Sequence, residues 1–203
     1  TLYNATYGIY LNNVSNAIIN NNIIQNNKKS GLYLNNCSNI EIYENKLKFN
    51  SISAINLFDA HLNEIYLNEI SDNKNIGIFL NKSNRNEITF NYLALNNNTG
   101  LYLLNSNNSK IISNNINYHN CAICLNKSNY GYITLNSGVG NDFTIIQHNC
   151  SGNFIYQNFI PETENKLDLI IIDFTYLLVI GIIIFIILFS CFYLFQFISY
   201  KIK

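Results

Sequence analysis

Three glutamates, Glu41, Glu64 and Glu87, recur every 23 residues, and Lys110 stands at the next step. If the chain coils so that these positions meet on neighbouring strands, their carboxylates come within about 4.8–5 Å. Like charges directly opposite repel, so a bound cation such as calcium, or raised pKa values, would relieve the column. The separation also approaches the ~5–5.5 Å between the two carboxyls of a retaining glycosidase. The plainer reading is an exposed column screened by water.

A second periodic set is aromatic: Tyr10, Tyr33, Phe79 and Tyr102, with Asn56 in the middle position. Exposed rings on a flat sheet can stack on sugar faces. Aromatic neighbours on adjacent strands also stabilise one another, by roughly 0.2–1 kcal/mol per pair, and Asn56 divides the set into two pairs. His119-Asn120-Cys121 and His148-Asn149-Cys150 are metal-ligand residue types, but they fall at different corners of their repeats. Cys121 and Cys124 lie along one strand, where alternation sends i and i+3 to opposite faces. Neither a tetrahedral site nor a bridge is expected of them. Cys37 and Cys150 share a column five repeats apart, beyond disulfide reach, and Cys191 lies in an apolar run. The sequence assigns no disulfide framework, catalytic residue, metal or cofactor.

These columns are positioned by a repeat that occurs seven times. Gly8, Gly31, Ala54, Gly77, Gly100, Ala122 and Thr144 mark one column, at spacings of 23, 23, 23, 23, 22 and 22. Asparagine fills another without exception: Asn22, Asn45, Asn68, Asn91, Asn114, Asn136 and Asn158. Three residues before each stands an isoleucine, from Ile19 to Ile155. A fixed period of about 20–50 residues marks stacked repeats. Aliphatic residues alternate with other types around Ile9-Tyr10-Leu11 and around Ile19, which predicts at least two short strands per repeat. A leucine-rich repeat fits only half of the columns, because its first leucine position falls on a small-residue column, its second on Ala17, Ile40, Asn63, Asn86, Ser109, Gly131 and Asn153, and no 3.6-residue pattern appears. The fold class predicted is all-β: a single-stranded, right-handed parallel β-helix of about seven rungs of 22–23 residues over 1–160. In such a coil the invariant asparagines form a structural ladder, each amide bonding its copies along the stack.

The bulk composition agrees. Charged residues are only 12% and the formal net charge is zero, so nothing points to nucleic acid. The polar surface is made of asparagine, 41 residues in all. The chain opens inside a repeat and lacks methionine, which points to an N-terminally truncated or processed product.

The pattern G-[IL]-[YF]-L followed by N-x-I-x-x-N-x-[IL], clearest in residues 77–93 with Asn86, resembles the NosD-like right-handed β-helix repeat. That repeat is of the CASH type found in carbohydrate-binding proteins and sugar hydrolases. The resemblance covers 1–160 and implies a pectin-lyase-like coil, an extracytoplasmic location and association with surface polysaccharide. Enzymes of that kind gather Asp with Arg, Lys or His on one sheet. Here Arg85 is the single arginine, and Asp59, Asp72 and Asp142 fall in different columns. No catalytic residue is carried over.

Residues 161–173 read as a linker. From Phe174 to Ile198 the chain is apolar apart from Thr175, Ser190 and Gln196. That run of 25 exceeds the roughly 20 residues that span a bilayer, and a short tail, 199–203, follows. Lys201 and Lys203 place the tail in the cytoplasm and the β-helix outside. Eight N-x-[ST] sequons, at Asn4, Asn13, Asn36, Asn81, Asn97, Asn107, Asn126 and Asn149, are candidate glycosylation points. The expectation is a membrane-anchored surface β-helix that binds polysaccharide through Tyr10, Tyr33, Phe79 and Tyr102, with Glu41, Glu64 and Glu87 as a cation site. The alternatives are the non-catalytic end of a polysaccharide lyase or glycoside hydrolase, and a NosD-like metal-delivery factor.

Overall fold

Strand alternation combined with a fixed repeat returns each strand beside its own copy. The computed structural model describes residues 1–161, which wind into rungs of three short strands with no helix. Sheet 1 stacks Ile9–Asn12, Leu32–Asn35, Ser53–Phe58, Ile76–Asn81, Thr99–Leu104, Cys121–Asn126 and Phe143–His148. Sheet 2 stacks Ser15–Asn20, Ser38–Tyr43, Glu64–Tyr66, Glu87–Thr89, Lys110–Ile112, Tyr132–Thr134 and Phe154–Tyr156. Sheet 3 stacks Leu2–Tyr3, Ile23–Gln25, Lys46–Lys48, Glu69–Ser71, Tyr92–Ala94 and Asn115–Asn117. Every pairing is parallel, and the register is the sequence repeat itself: Ile42 partners Ile65, which partners Ile88 and then Ile111. Sheet 3 is the strand set beyond the expected two. Its central strands are three residues long and each buries one large aliphatic residue (Leu47, Ile70, Leu93), in two of them followed by a buried small residue (Ser71, Ala94), so no alternation shows. The run from Phe174 to Ile198 lies outside the described residues. Among those described, no helix is long and apolar enough to cross a membrane.

The core fills from all three sheets. One central rung contributes Ile55 and Leu57 from sheet 1, Ile65 from sheet 2 and Ile70 from sheet 3, all fully buried. Each such side chain stabilises the fold by about 1.5–3 kcal/mol.

Two buried asparagine ladders tie the rungs together. In the expected ladder, Asn68 Oδ1 accepts from both the backbone N–H and the side-chain amide of Asn45, at 3.0 and 3.1 Å. Asn68 Nδ2 donates back to the Ile42 carbonyl at 2.8 Å. The same pattern continues through Asn91, Asn114 and Asn136. A second ladder runs through Asn27, Asn50, Asn73 and Asn96 at the next corner, with the same two-fold acceptance at the oxygens of Asn50, Asn73 and Asn96.

The corners turn on single residues with left-handed backbone. One such column reads Asn16, Asn39, Leu62, Arg85, Asn108 and Tyr130, with φ of 56, 53, 59, 57, 56 and 56°. Asparagine tolerates this region, whereas Leu, Phe or Arg there costs about 1–2 kcal/mol. The bonded ladder residues on either side hold them in place.

The small-residue column faces inward. A Cβ on Gly77 would lie 2.6 Å from the Gly100 carbonyl oxygen and 2.9 Å from Leu93 Cδ2. In the first five rungs three residues separate the second ladder from this column; in the last two, only two do (Asn120 and Cys121, then Asp142 and Phe143). The drop in spacing from 23 to 22 is absorbed at that corner alone.

The inward turn of this column corrects one expectation. A disulfide joins Cys121 and Cys124, whose Cα atoms are 6.3 Å apart. Strict alternation separates them, but Ala122 and Ile123 both face the core at 0% exposure. The strand therefore bends between these two, which brings the flanking cysteines together, Cys121 buried and Cys124 half-buried. Cys37 and Cys150 are free thiols.

Asn68→Ala removes an acceptor for two Asn45 donors and a donor to Ile42, and is expected to cost about 2–4 kcal/mol in denaturant unfolding. A loss below about 1 kcal/mol would show the ladder to be dispensable. Phe90 holds φ at 55° with its ring exposed. Phe90→Asn should therefore raise Tm by a few degrees, as about 1 kcal/mol of backbone strain is relieved.

Candidate functional site

Because register follows the repeat, outward columns become rows of touching side chains. On sheet 1, Tyr10 stacks on Tyr33 with ring centroids 5.5 Å apart and planes 2° from parallel. Phe79 stacks on Tyr102 at 5.3 Å and 11°. Asn56 separates the two pairs, as expected from sequence. Tyr7 leans across the first pair, 5.6 Å from Tyr10 and 5.0 Å from Tyr33, and Lys29 Nζ sits 5.5 Å from the Tyr7 centroid. Burial, with Tyr7 and Tyr10 close by, pushes the Tyr33 hydroxyl pKa up. In each stacked pair one ring face is covered by its neighbour.

Sheet 2 carries the glutamate column. Glu41, Glu64, Glu87 and Lys110 are register partners in that order. Repulsion along the column is relieved at both ends. Glu41 accepts from the Tyr66 hydroxyl at 3.1 Å, and Glu87 pairs with Lys110 at 3.0 Å. Glu64, between them, has no ion pair among the described residues. Tyr66 remains a donor because burial, and then its bond to Glu41, push its pKa up to about 12. Tyr43 stacks on Tyr66 at 4.9 Å and 9°. Sequence reasoning passed over this aromatic pair because its column runs to Thr89 and Ile112, so only two rings recur; the signal was their position two residues after Glu41 and Glu64.

A hollow of about 430 Å³ opens where sheet 2 meets its preceding corner, lined by Leu62, Glu64, Arg85, Glu87, Asn108 and Lys110 with three further asparagines. A second hollow of about 350 Å³ shares Leu62, Arg85 and Asn108, and adds His61, Asn84 and Asn107. The two hollows adjoin at these shared residues and together make up the groove at the Arg85 corner. His61 has both nitrogens engaged: Nε2 lies 3.2 Å from Asp59 Oδ1, and Nδ1 accepts the Asn84 N–H at 3.0 Å. It has no free nitrogen to serve as a base.

The two His-Asn-Cys motifs are far apart in role. His119 is a member of the second ladder, taking the place of asparagine between Asn96 and Asn141. Its Nε2 accepts from Asn96 Nδ2 at 3.1 Å and its Nδ1 donates to Asn141 Oδ1 at 3.2 Å. His148 ends a sheet 1 strand and is exposed. Among the described residues no three His, Cys, Asp or Glu side chains gather as a metal set.

A family model described as a right-handed β-helix region matches residues 1–160. The chain belongs to the right-handed β-helix family. No curated protein matches it in sequence. Among solved β-helix structures it is similar to the periplasmic alginate epimerase AlgG, with a TM-score of 0.68 and 15% identity over 78% of this chain and 49% of that one. A single-substitution variant of that epimerase gives a TM-score of 0.67 and 16% identity, with the same coverage of 78% and 49%. At this identity the likeness is one of fold. The chain spans about half the length of the epimerase chains.

His119 gives this β-helix a pH dependence. Burial lowers its pKa from 6.5 to about 4, opposed by its bond to Asn141. The folded state thus prefers the neutral ring, and the stability it confers is present above pH 6.5 and lost as pH falls through about 4. The loss amounts to about 3 kcal/mol. His119→Asn should continue the ladder without a proton to gain, so the gap in Tm between variant and parent should widen from pH 7 to pH 4. A constant gap would refute the assignment.

Proposed function

We propose that the chain is a surface-displayed β-helix that binds saccharide. The observation that carries this reading is the outer face of sheet 2. There a stacked tyrosine pair, three glutamates, a lysine and the Arg85 groove lie within adjoining rungs. Planar polar side chains that accept and donate in pairs suit the vicinal hydroxyls of a sugar, and an apolar neighbour such as Leu62 suits its C–H face. The fold's likeness to a polysaccharide-modifying enzyme agrees with this chemistry, as does the finer resemblance to NosD-like and CASH-type repeats. The stacked pairs Tyr10–Tyr33 and Phe79–Tyr102 on sheet 1 offer a second platform. The apolar run from Phe174 to Ile198 would anchor the chain with the β-helix outside and residues 199–203 in the cytoplasm.

A second reading is the non-catalytic part of a larger carbohydrate-active enzyme, favoured by coverage of only 49% of the epimerase chain. In that case a partner segment supplies the chemistry and this groove holds substrate.

The deciding experiment is a glycan-array screen of the full chain beside two variants, Tyr33→Ala and the double substitution Glu64→Ala with Arg85→Ala. Binding lost only in the double variant is the expected result and assigns the site to sheet 2. Loss only in Tyr33→Ala would move it to sheet 1. A parent chain that binds no glycan would overturn the saccharide reading.

A further inference from the structure

We infer that the groove at the Arg85 corner selects a zwitterionic sugar, one bearing both a protonated amine and an anionic group such as a carboxylate. This rests on the saccharide reading above and names the class of ligand for the same face. It follows from how charges pair on the outer side of the coil. Glu87 closes on Lys110 on sheet 2, and Glu69 on Lys46 and Lys48 on sheet 3. Glu64 and Arg85 line one hollow of about 430 Å³. Yet neither forms an ion pair with any described residue.

Opposite charges that share a hollow without meeting leave one negative and one positive position to be complemented. A purely anionic ligand satisfies Arg85 but faces the Glu64 carboxylate; a purely cationic one does the reverse. A ligand with both charges satisfies both. The guanidinium suits the anion, since its planar fork binds carboxylate and phosphate oxygens in pairs. The carboxylate of Glu64 suits an ammonium group.

The surrounding groups complete the case. Asn84 Oδ1 is taken by the Asn107 N–H at 2.7 Å, and Asn107 Oδ1 by the Asn129 N–H at 2.8 Å. Their side-chain NH₂ groups have no bonded partner among the described residues and are available to sugar hydroxyls. Leu62, about half exposed, offers apolar surface in both hollows. The hollow also falls within the roughly 300–1,000 Å³ typical of small-molecule sites.

Four probes separate the charges: glucose (neutral), glucosamine (cationic), glucuronic acid (anionic) and muramic acid (amine and carboxylate together), each titrated calorimetrically into the full chain. Muramic acid should bind about tenfold or more tightly than either singly charged sugar, as expected for one added charge-assisted hydrogen bond. N-acetylation of muramic acid removes the ammonium and should cost a similar factor. Glu64→Gln should abolish the effect of N-acetylation while keeping the preference for a carboxylate. Arg85→Gln should abolish the preference for muramic acid over glucosamine. Both substitutions lie on exposed side chains, and unchanged circular dichroism will show that the fold persists. Equal binding of all probes, or preferences unmoved by either substitution, would overturn the inference yet leave saccharide binding intact. No binding of any sugar would defeat the saccharide reading as well.

Discussion

Each rung is fastened to the next by a buried asparagine whose carbonyl oxygen takes two hydrogen bonds from its copy one rung earlier. A slip of one residue would leave these amides unpaired in the core, at about 1–3 kcal/mol for each lost partner. It would also turn every inward aliphatic to solvent. The ladders and the core thus enforce the same register. Once register is set, the outer surface is set too, because each external residue touches those exactly one period away in sequence.

That constraint explains what the sequence made legible. The glutamate column, the stacked pairs broken by Asn56 and the isoleucine column all follow from counting 22 or 23 residues, and the structure places them as counted. Three features escaped. Sheet 3 escaped because three-residue strands with one large buried aliphatic, in several followed by a buried small or polar residue, carry no detectable alternation. The Cys121–Cys124 bridge escaped because the bend at Ala122 breaks the two-residue rhythm on which the opposite-face prediction relied. The groove escaped because its walls come from different columns: Glu64 and Glu87 stand on a strand, while Leu62, Arg85 and Asn108 stand on a left-handed corner. Periodicity reads along columns and is blind to what two columns build between them.

Function on such a scaffold belongs to departures from the repeat. The asparagines that recur most faithfully are buried and satisfied by their own copies, which leaves nothing for a ligand. The rings of sheet 1 partly satisfy one another in the same way. Arg85 is different: it interrupts a column of Asn, Leu and Tyr, occupies a backbone conformation that disfavours it, and forms no ion pair with any described residue. His119 interrupts the second ladder but preserves its bonding, so its consequence is thermodynamic and not chemical.

The corner between the second ladder and the small-residue column has a further meaning. Five rungs span it with three residues and two rungs with two, yet sheets 1 and 2 keep their pairing through the change and the third side continues as single bridges through Ser137. Length is therefore free along this one edge of the prism and fixed along the other two. A coil built this way can lengthen a connection on that edge without disturbing the stack beneath it. Lineages of this fold could acquire new loops there by insertion, and a designer could graft a foreign peptide at the same edge, displayed once per rung at about 4.8 Å intervals.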